Sequence, residues 1–147
     1  MKSVVHSAFE QIESGGKVKL FKSHKDGYAD GEQLRDFVYV KDVVAAMVNL
    51  VEKNDREISG IYNLGTGRAR TFADLARATF SAMDKPENIE YIDMPERLRG
   101  QYQYYTQANM DKFNKVFPDF KFHSLEEGIK DYVQNHLMLE DPHLCSK

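Results

Sequence analysis

The sequence lacks several features that mark particular classes of protein. Its one cysteine, Cys145, can form no internal disulfide, which fits a reducing compartment. No apolar stretch approaches the roughly 20 residues of a membrane-spanning helix, and no signal-peptide pattern is present. The 20 basic and 23 acidic residues are mixed, so no block of like charge indicates a nucleic-acid tail or a membrane patch. These absences predict a cytoplasmic protein with neither nucleic-acid nor membrane partners.

Motifs for catalysis or metal binding are also missing. None of the five histidines is paired with another histidine, a cysteine or a carboxylate at a recognised zinc spacing, so no metal site is predicted. There is no Gly-x-Ser-x-Gly elbow, no P-loop and no complete Gly-x-Gly-x-x-Gly fingerprint. Gly65-Thr66-Gly67 has two of the three fingerprint glycines, which favours a tight turn between a strand and a helix. We predict no catalytic residue and no cofactor-binding residue in this chain.

Helix-like and strand-like patterns alternate along the 147 residues, which predicts an α/β fold. Helices are expected from Val4 to Gly15, from an N-cap at Asp42, from a capping box at Thr71 and Asp74, around Phe113, and after Ser124. Strands are expected at 17–21, 37–40, 60–64 and 89–93. With about five helices and few short strands, the chain has no complete Rossmann sheet. We predict one domain over 1–138 and a frayed polar tail over 139–147.

The helix from Asp42 carries apolar residues at helical spacing. Val43, Met47, Leu50 and Val51 are expected to share one face.

Arg35 is the first candidate for ligand binding. It ends a long polar loop and begins a predicted strand, where a rigid backbone would let the guanidinium grip a phosphate with two parallel hydrogen bonds. An ion pair with Asp36 or Asp42 is the alternative, and the sequence favours neither interpretation.

Two other segments could contact a ligand. Phe21, Lys22, Ser23 and His24 lie where a strand opens into the long loop, and their polar side chains could bind an anionic or hydroxylated ligand. Tyr102 belongs to a second loop that is rich in arginine and tyrosine, and a tyrosine suits a sugar or a purine. The alternatives are an ordinary strand exit and a surface loop whose tyrosines cover the core.

Several sequence stretches carry a family resemblance. The run 34–43, LRDFVYVKDV, and the run 60–69, GIYNLGTGRA, resemble the extended short-chain dehydrogenase/reductases. Three further pieces, KLFKSH at 19–24, IEYIDMP at 89–95 and LRGQYQYYTQA at 98–108, narrow the resemblance to the ADP-L-glycero-D-manno-heptose 6-epimerases. The similarity extends from Met1 to about Leu137.

The resemblance implies a function for the candidates. Members of that family use NADP to oxidise and re-reduce a heptose carbon during lipopolysaccharide core synthesis, and they assemble as homo-oligomers. By resemblance, Phe21, Lys22, Ser23, His24, Arg35 and Tyr102 contact the ADP-sugar, with Arg35 at the diphosphate.

The same resemblance implies that this chain corresponds to the C-terminal portion of such an enzyme. The glycine-rich NADP loop and the Tyr-x-x-x-Lys pair would belong to an N-terminal Rossmann half upstream of Met1. The chain alone is then expected to bind no NADP and to be inactive. Two alternatives stay open, namely the corresponding portion of another nucleotide-sugar 4-epimerase or dehydratase, and a non-enzymatic interaction module.

Overall fold

The computed structural model describes residues 3–139, which form short strands with helices around them. The helices are α1 (Val4–Gly15), α2 (Val40–Lys53), α3 (Phe72–Ala82), α4 (Glu96–Arg99), α5 (Asp111–Val116) and α6 (Leu125–Tyr132). A 3₁₀ turn forms at Arg56–Ile58, and a π-helical turn at Val133–Leu137 extends α6. The strands are β1 (Val18–Phe21), β2 (Leu34–Arg35), β3 (Arg70–Thr71) and β4 (Ile89–Ile92).

The strands pair in two separate two-stranded sheets. β1 and β4 are parallel, with Val18 opposite Ile89 and Phe21 opposite Ile92. β2 and β3 are antiparallel, with Arg35 directly opposite Arg70. The prediction of an α/β chain with few strands is confirmed, and residues 3–139 contain no complete Rossmann sheet. The described part of the chain has six α-helices rather than about five, because α4 forms inside the loop expected after β4.

Local sequence signals explain where the main helices begin and end. Ser3 caps α1, and Gly16 ends it with a φ of 64°, a left-handed conformation that glycine adopts without strain. Thr71 and Asp74 form the predicted capping box of α3, and Ser124 and Glu127 form that of α6. These helix starts are confirmed.

The expected strand at 37–40 and the expected N-cap at Asp42 are both wrong. The strand is Leu34–Arg35, because those residues find a partner in β3. α2 begins at Val40 after Tyr39, which makes no side-chain cap. Asp42 is buried inside the first turn, where it accepts hydrogen bonds from the backbone N–H of His123 at 2.9 Å and pairs with its Nδ1 at 2.6 Å.

The expected strand at 60–64 does not form within the described residues, because no neighbouring strand supplies it with backbone partners. The apolar face of α2 is largely exposed. Met47 is 58% exposed and Val51 is 77% exposed. Ala46 is the apolar residue that α2 buries fully.

Two hydrophobic clusters form the interior. The larger joins α1, β1, α3 and α6 around Leu75, Phe80 and Ile129. The smaller contains Ala46, Met110 and Phe113. Within residues 3–139, no helix is both long and apolar enough to cross a membrane. Cys145 and most of the expected tail lie outside the described residues, and the domain boundary at 138 stays a prediction.

Candidate functional site

The candidate site begins where β1 and β4 end side by side. The backbone N–H of Lys22 donates to the carbonyl of Ile92 at 2.8 Å, which continues the parallel ladder one step past Phe21. Gly31 then brings the long loop back, and its N–H donates to the carbonyl of Phe21. A Cβ at Gly31 would lie 2.8 Å from the Tyr91 ring at a φ of +74°, so this close return requires glycine. The carboxyl ends of parallel strands commonly border ligand sites.

The three polar residues after β1 have different surroundings. The Lys22 ammonium lies 3.4 Å from a carboxylate oxygen of Asp93, in an exposed ion pair. Ser23 stabilises the loop, since its hydroxyl donates to the carbonyl of Lys25 and its N–H donates to Asp30. The N–H of His24 donates to the hydroxyl of Tyr104 at 3.0 Å, and the His24 side chain is exposed.

Arg35 lies next to aromatic rings rather than carboxylates. Its guanidinium carbon is 5.5 Å from the ring centroid of Tyr102 and 5.7 Å from that of Phe72, within cation–π range. One guanidinium N–H donates to the carbonyl of Leu34 at 2.8 Å.

The alternative of an ion pair between Arg35 and Asp36 or Asp42 is wrong. Asp36 accepts from backbone amides and a threonine hydroxyl, and Asp42 is paired with His123. Among residues 3–139, Arg35 has no carboxylate within ion-pair distance.

Arg70, directly across from Arg35 in the sheet, is fully neutralised. Its guanidinium contacts Glu126 at 2.7 Å and Asp74 at 3.1 Å. The two arginines therefore have different roles. Arg70 links β3 to α3 and α6, whereas the Arg35 guanidinium is half-buried and has no carboxylate partner within residues 3–139.

A row of aromatic rings leads away from Arg35. Phe21 contacts Tyr102 edge to face, Tyr102 contacts Tyr104, and Tyr104 contacts Tyr28, with centroid separations of 6.2, 5.6 and 5.2 Å. Lys25 lies 5.5 Å from the ring centroid of Tyr104, at the far end. Burial raises the pKa of the Tyr102 hydroxyl, although the charge of Arg35 opposes the shift. Tyr102 is thus neutral near pH ~7 and can donate a hydrogen bond.

The loop at residues 100–108, which follows α4 and is called the tyrosine loop, covers the core in part, and its role in ligand binding stays a prediction. Tyr104 is 6% exposed and supports the loop after β1, as a core-covering residue would. Tyr102 is half-buried beside Arg35, and Tyr105 is 52% exposed.

The glycine turn at 65–67 holds a side chain of the chain itself. The N–H groups of Thr66 and Gly67 donate to the Asp36 carboxylate at 2.8 and 2.9 Å, and the Thr66 hydroxyl and the N–H of Ala108 also donate to it. A Cβ at Gly65 would lie 2.6 Å from Asp36. Because Asp36 already occupies these donors, the turn does not fit a dinucleotide phosphate, and no step of a reaction is assigned to it.

Sequence reasoning missed two residues of this region, Phe72 and Asp36. Phe72 lies beside Arg35, and Asp36 joins distant segments. The amides of a glycine turn need an acceptor, but nothing near the turn in the sequence identifies Asp36 as that acceptor.

A separate cavity of about 420 Å³ lies between the start of α1, residues 37–40 and α6. Its lining is mostly apolar, and Arg35 and Tyr102 are not part of it. Within residues 3–139, no group of three or more histidine, cysteine, aspartate or glutamate side chains is placed to hold a metal ion.

Comparison with known proteins identifies the family. The profile of the NAD dependent epimerase/dehydratase family matches residues 1–65. An ADP-L-glycero-D-manno-heptose-6-epimerase from Fusobacterium nucleatum is 51% identical over 98% of this chain, and one from Nitratidesulfovibrio vulgaris strain Hildenborough is 47% identical over 98%. The chain belongs to the NAD dependent epimerase/dehydratase family. The sequence-based resemblance is therefore confirmed.

Two solved structures share the fold of this chain. The Helicobacter pylori ADP-L-glycero-D-manno-heptose-6-epimerase superposes with a TM-score of 0.67 at 30% identity, over 90% of this chain and 36% of its own. The Thermus thermophilus UDP-glucose 4-epimerase, solved with NAD, gives 0.64 at 24% identity, over 86% and 37%. The chain spans 45% and 44% of the two curated relatives' lengths.

Proposed function

We propose that this chain supplies the nucleotide-sugar-binding side of an NADP-dependent epimerase that acts on ADP-glycero-manno-heptose. The observation that carries the proposal is the contrast between Arg35 and Arg70. Arg70 is neutralised by two carboxylates, whereas Arg35 has none within residues 3–139 and lies beside Tyr102. A guanidinium held in this way can bind a diphosphate through two hydrogen bonds.

The aromatic row extends the proposal from the phosphates to the rest of the ligand. In it, Tyr102 borders the nucleotide or sugar, and Phe21 supports the Tyr102 ring from the end of β1. Lys22, Ser23 and His24 contribute polar groups at the same edge. The Lys22 ammonium pairs with an exposed carboxylate, the Ser23 hydroxyl donates to a backbone carbonyl, and the His24 side chain is exposed, so a ligand can compete for these groups.

The chemical step belongs to other residues in this proposal. When bound, NADP supplies the acceptor and donor of the hydride. The residues described here bind and orient the substrate, and the glycine turn is already filled by Asp36. We therefore expect that the 147-residue chain alone neither binds NADP nor epimerises ADP-heptose. Turnover by the purified chain with added NADP would contradict this part of the proposal.

Calorimetry with ADP tests the binding role directly. Arg35→Lys keeps the charge but removes the fork geometry, so we expect ADP to bind about tenfold more weakly. Arg77→Lys is the matched control, because Arg77 is an exposed arginine on α3 whose guanidinium pairs with Glu87. Equal affinity in wild type and Arg35→Lys would remove Arg35 from the site.

The nucleotide preference separates the proposal from its nearest alternative. An ADP-heptose site should bind ADP more tightly than UDP or dTDP. A preference for UDP or dTDP would instead favour the corresponding portion of another nucleotide-sugar 4-epimerase or dehydratase.

The exposed apolar face of α2 supports a partner in the proposal. Val40, Val44, Met47 and Val51 recur at helical spacing and are 54–77% exposed. We propose that this face packs against a Rossmann unit of the kind expected in relatives about twice as long as this chain. Assembly into homo-oligomers and a cytoplasmic location stay predictions.

Mixing experiments test this partner. The part of the Fusobacterium nucleatum relative that the match leaves uncovered would be produced separately and titrated with this chain. Met47→Lys should abolish association, whereas Met138→Lys, with a similar exposed fraction, should not. If the chain instead forms concentration-dependent oligomers in light scattering and shows no nucleotide affinity, it is a non-enzymatic interaction module.

A further inference from the structure

Asp36 joins three segments of chain that are far apart in sequence. Its first carboxylate oxygen accepts from the N–H and the hydroxyl of Thr66, at 2.8 and 2.6 Å. Its second oxygen accepts from the N–H groups of Gly67 and Ala108, at 2.9 and 3.0 Å. The end of β2, the glycine turn and the end of the tyrosine loop therefore meet at one carboxylate.

The residue before Arg35 anchors the same loop through its backbone. Leu34 donates its N–H to the carbonyl of Tyr104 at 2.8 Å and accepts from the N–H of Thr106 at 3.2 Å. The tyrosine loop is thus bonded on both sides of Arg35, by the Leu34 backbone and by the Asp36 side chain. The guanidinium of Arg35 and the ring of Tyr102 belong to the two pieces of chain that these bonds join.

We infer that Asp36 is a positioning residue that holds the Arg35 guanidinium against Tyr102 and so sets the geometry of the diphosphate site. The inference rests on the proposed function for the meaning of that geometry, but the geometry can be measured without any ligand. Asp36 contacts no substrate in this role, and it acts through Arg35 and Tyr102.

The chemistry of the carboxylate explains why aspartate is required. An asparagine has one oxygen and one NH₂ group, so at one of the two positions its N–H would face other N–H donors. The backbone N–H contacts of either Thr66 or of Gly67 and Ala108 would be lost. Burial alone would raise the pKa of Asp36, but these hydrogen bonds lower the pKa below its ordinary value. The carboxylate therefore stays ionised, and both of its oxygens can accept hydrogen bonds.

NMR of the ligand-free chain tests the positioning. In wild type, nuclear Overhauser contacts are expected between the side-chain protons of Arg35 and the ring of Tyr102. Asp36→Asn should abolish them. Asp131→Asn should preserve them, because Asp131 is also a carboxylate with several donors, Tyr39, Lys41 and Asn135, but it links α2 to α6. Thr66→Ala is the second variant in case Asp36→Asn does not fold. It removes one hydroxyl contact to Asp36 and should weaken the same signals. Unchanged contacts in both Asp36→Asn and Thr66→Ala would overturn the inference.

A double-mutant cycle with ADP then connects position to binding. Asp36→Asn should weaken the binding of ADP about tenfold in the wild-type chain but less than about twofold in the Arg35→Lys background, because Asp36 acts through Arg35. Equal weakening in both backgrounds would show a purely structural effect and contradict the inference. If the wild-type chain does not bind ADP, the proposed function fails, while the NMR contacts still decide the role of Asp36.

Discussion

At the scale of single residues, neighbours rather than residue type decide function. Arg35 and Arg70 face each other across one sheet, yet only Arg70 is surrounded by carboxylates. Asp36 follows Arg35 in the sequence, but its carboxylate accepts hydrogen bonds from four donors elsewhere and does not neutralise Arg35. The free charge of Arg35 therefore depends on the glycine turn that engages Asp36.

Gly65→Ala should destabilise the chain by about 1–3 kcal/mol, the usual effect of overpacking. The added methyl would lie 2.6 Å from Asp36 and 2.7 Å from the Cβ of Ala108. Urea unfolding followed by circular dichroism measures the change. Gly15→Ala is the control, because nothing lies within 4 Å of its added methyl, and the higher helix propensity of alanine should leave stability equal or slightly greater. Equal stability of the two variants would contradict the close approach at Gly65.

At the scale of elements, α3 anchors the larger cluster, and its start also places Phe72 beside Arg35. Thr71 accepts from the N–H of Asp74, and Asp74 accepts from the N–H of Thr71. Leu75 and Phe80 on the same helix are almost fully buried. The cap thus fixes both a core helix and one ring of the candidate site.

Thr71→Ala should lower the free energy of unfolding by about 0.5–2 kcal/mol, because the N–H of Asp74 loses its acceptor. Thr71→Ser keeps the hydroxyl and should recover most of that loss. Thermal unfolding of the three proteins is the measurement. If serine and alanine destabilise equally, the cap is not the cause.

The sequence predicts elements well where the signal is local. Capping boxes at Thr71 and Ser124, the glycine stop of α1 and the alternation in β1 depend on neighbouring residues, and they are confirmed. The prediction of a strand at 60–64 is wrong, because a strand needs a pairing partner and the local sequence does not specify which segment that is.

The site shows the same division between local and distant information. Arg35 and Tyr102 were found by residue type and resemblance, and their contact is observed, although their role in binding stays a prediction. The role of Asp36 could not be predicted, because its partners lie 30, 31 and 72 residues away. Apolar periodicity indicates that α2 has an apolar face, but it does not tell which neighbour covers that face.

At the scale of the whole molecule, acid should unfold the chain through its carboxylates. The Lys41 ammonium, with Tyr39 and Asn135, holds the pKa of Asp131 well below its usual value. A lowered folded-state pKa contributes stability above the unfolded value, near 3.8, and that stability is lost as the pH falls below it.

The melting temperature should therefore drop between about pH 4 and pH 2. Asp131→Asn should be less stable than wild type at neutral pH and should lose less on acidification. Circular dichroism melts over this range measure both. Parallel acid profiles for the two proteins would show that Asp131 does not contribute.

The two hydrophobic clusters have a consequence for how the molecule opens. α2 buries Ala46 in the smaller cluster, and polar contacts link it to α6 and to the segment just before α6, namely Lys41 with Asp131 and Asp42 with His123. Regions with few buried apolar contacts undergo sub-global opening at a lower free energy than the core. Backbone amides of α2 should therefore exchange with deuterium faster than those of α3. The helix proposed to pack against a partner, α2, would then open before α3 when the partner is absent.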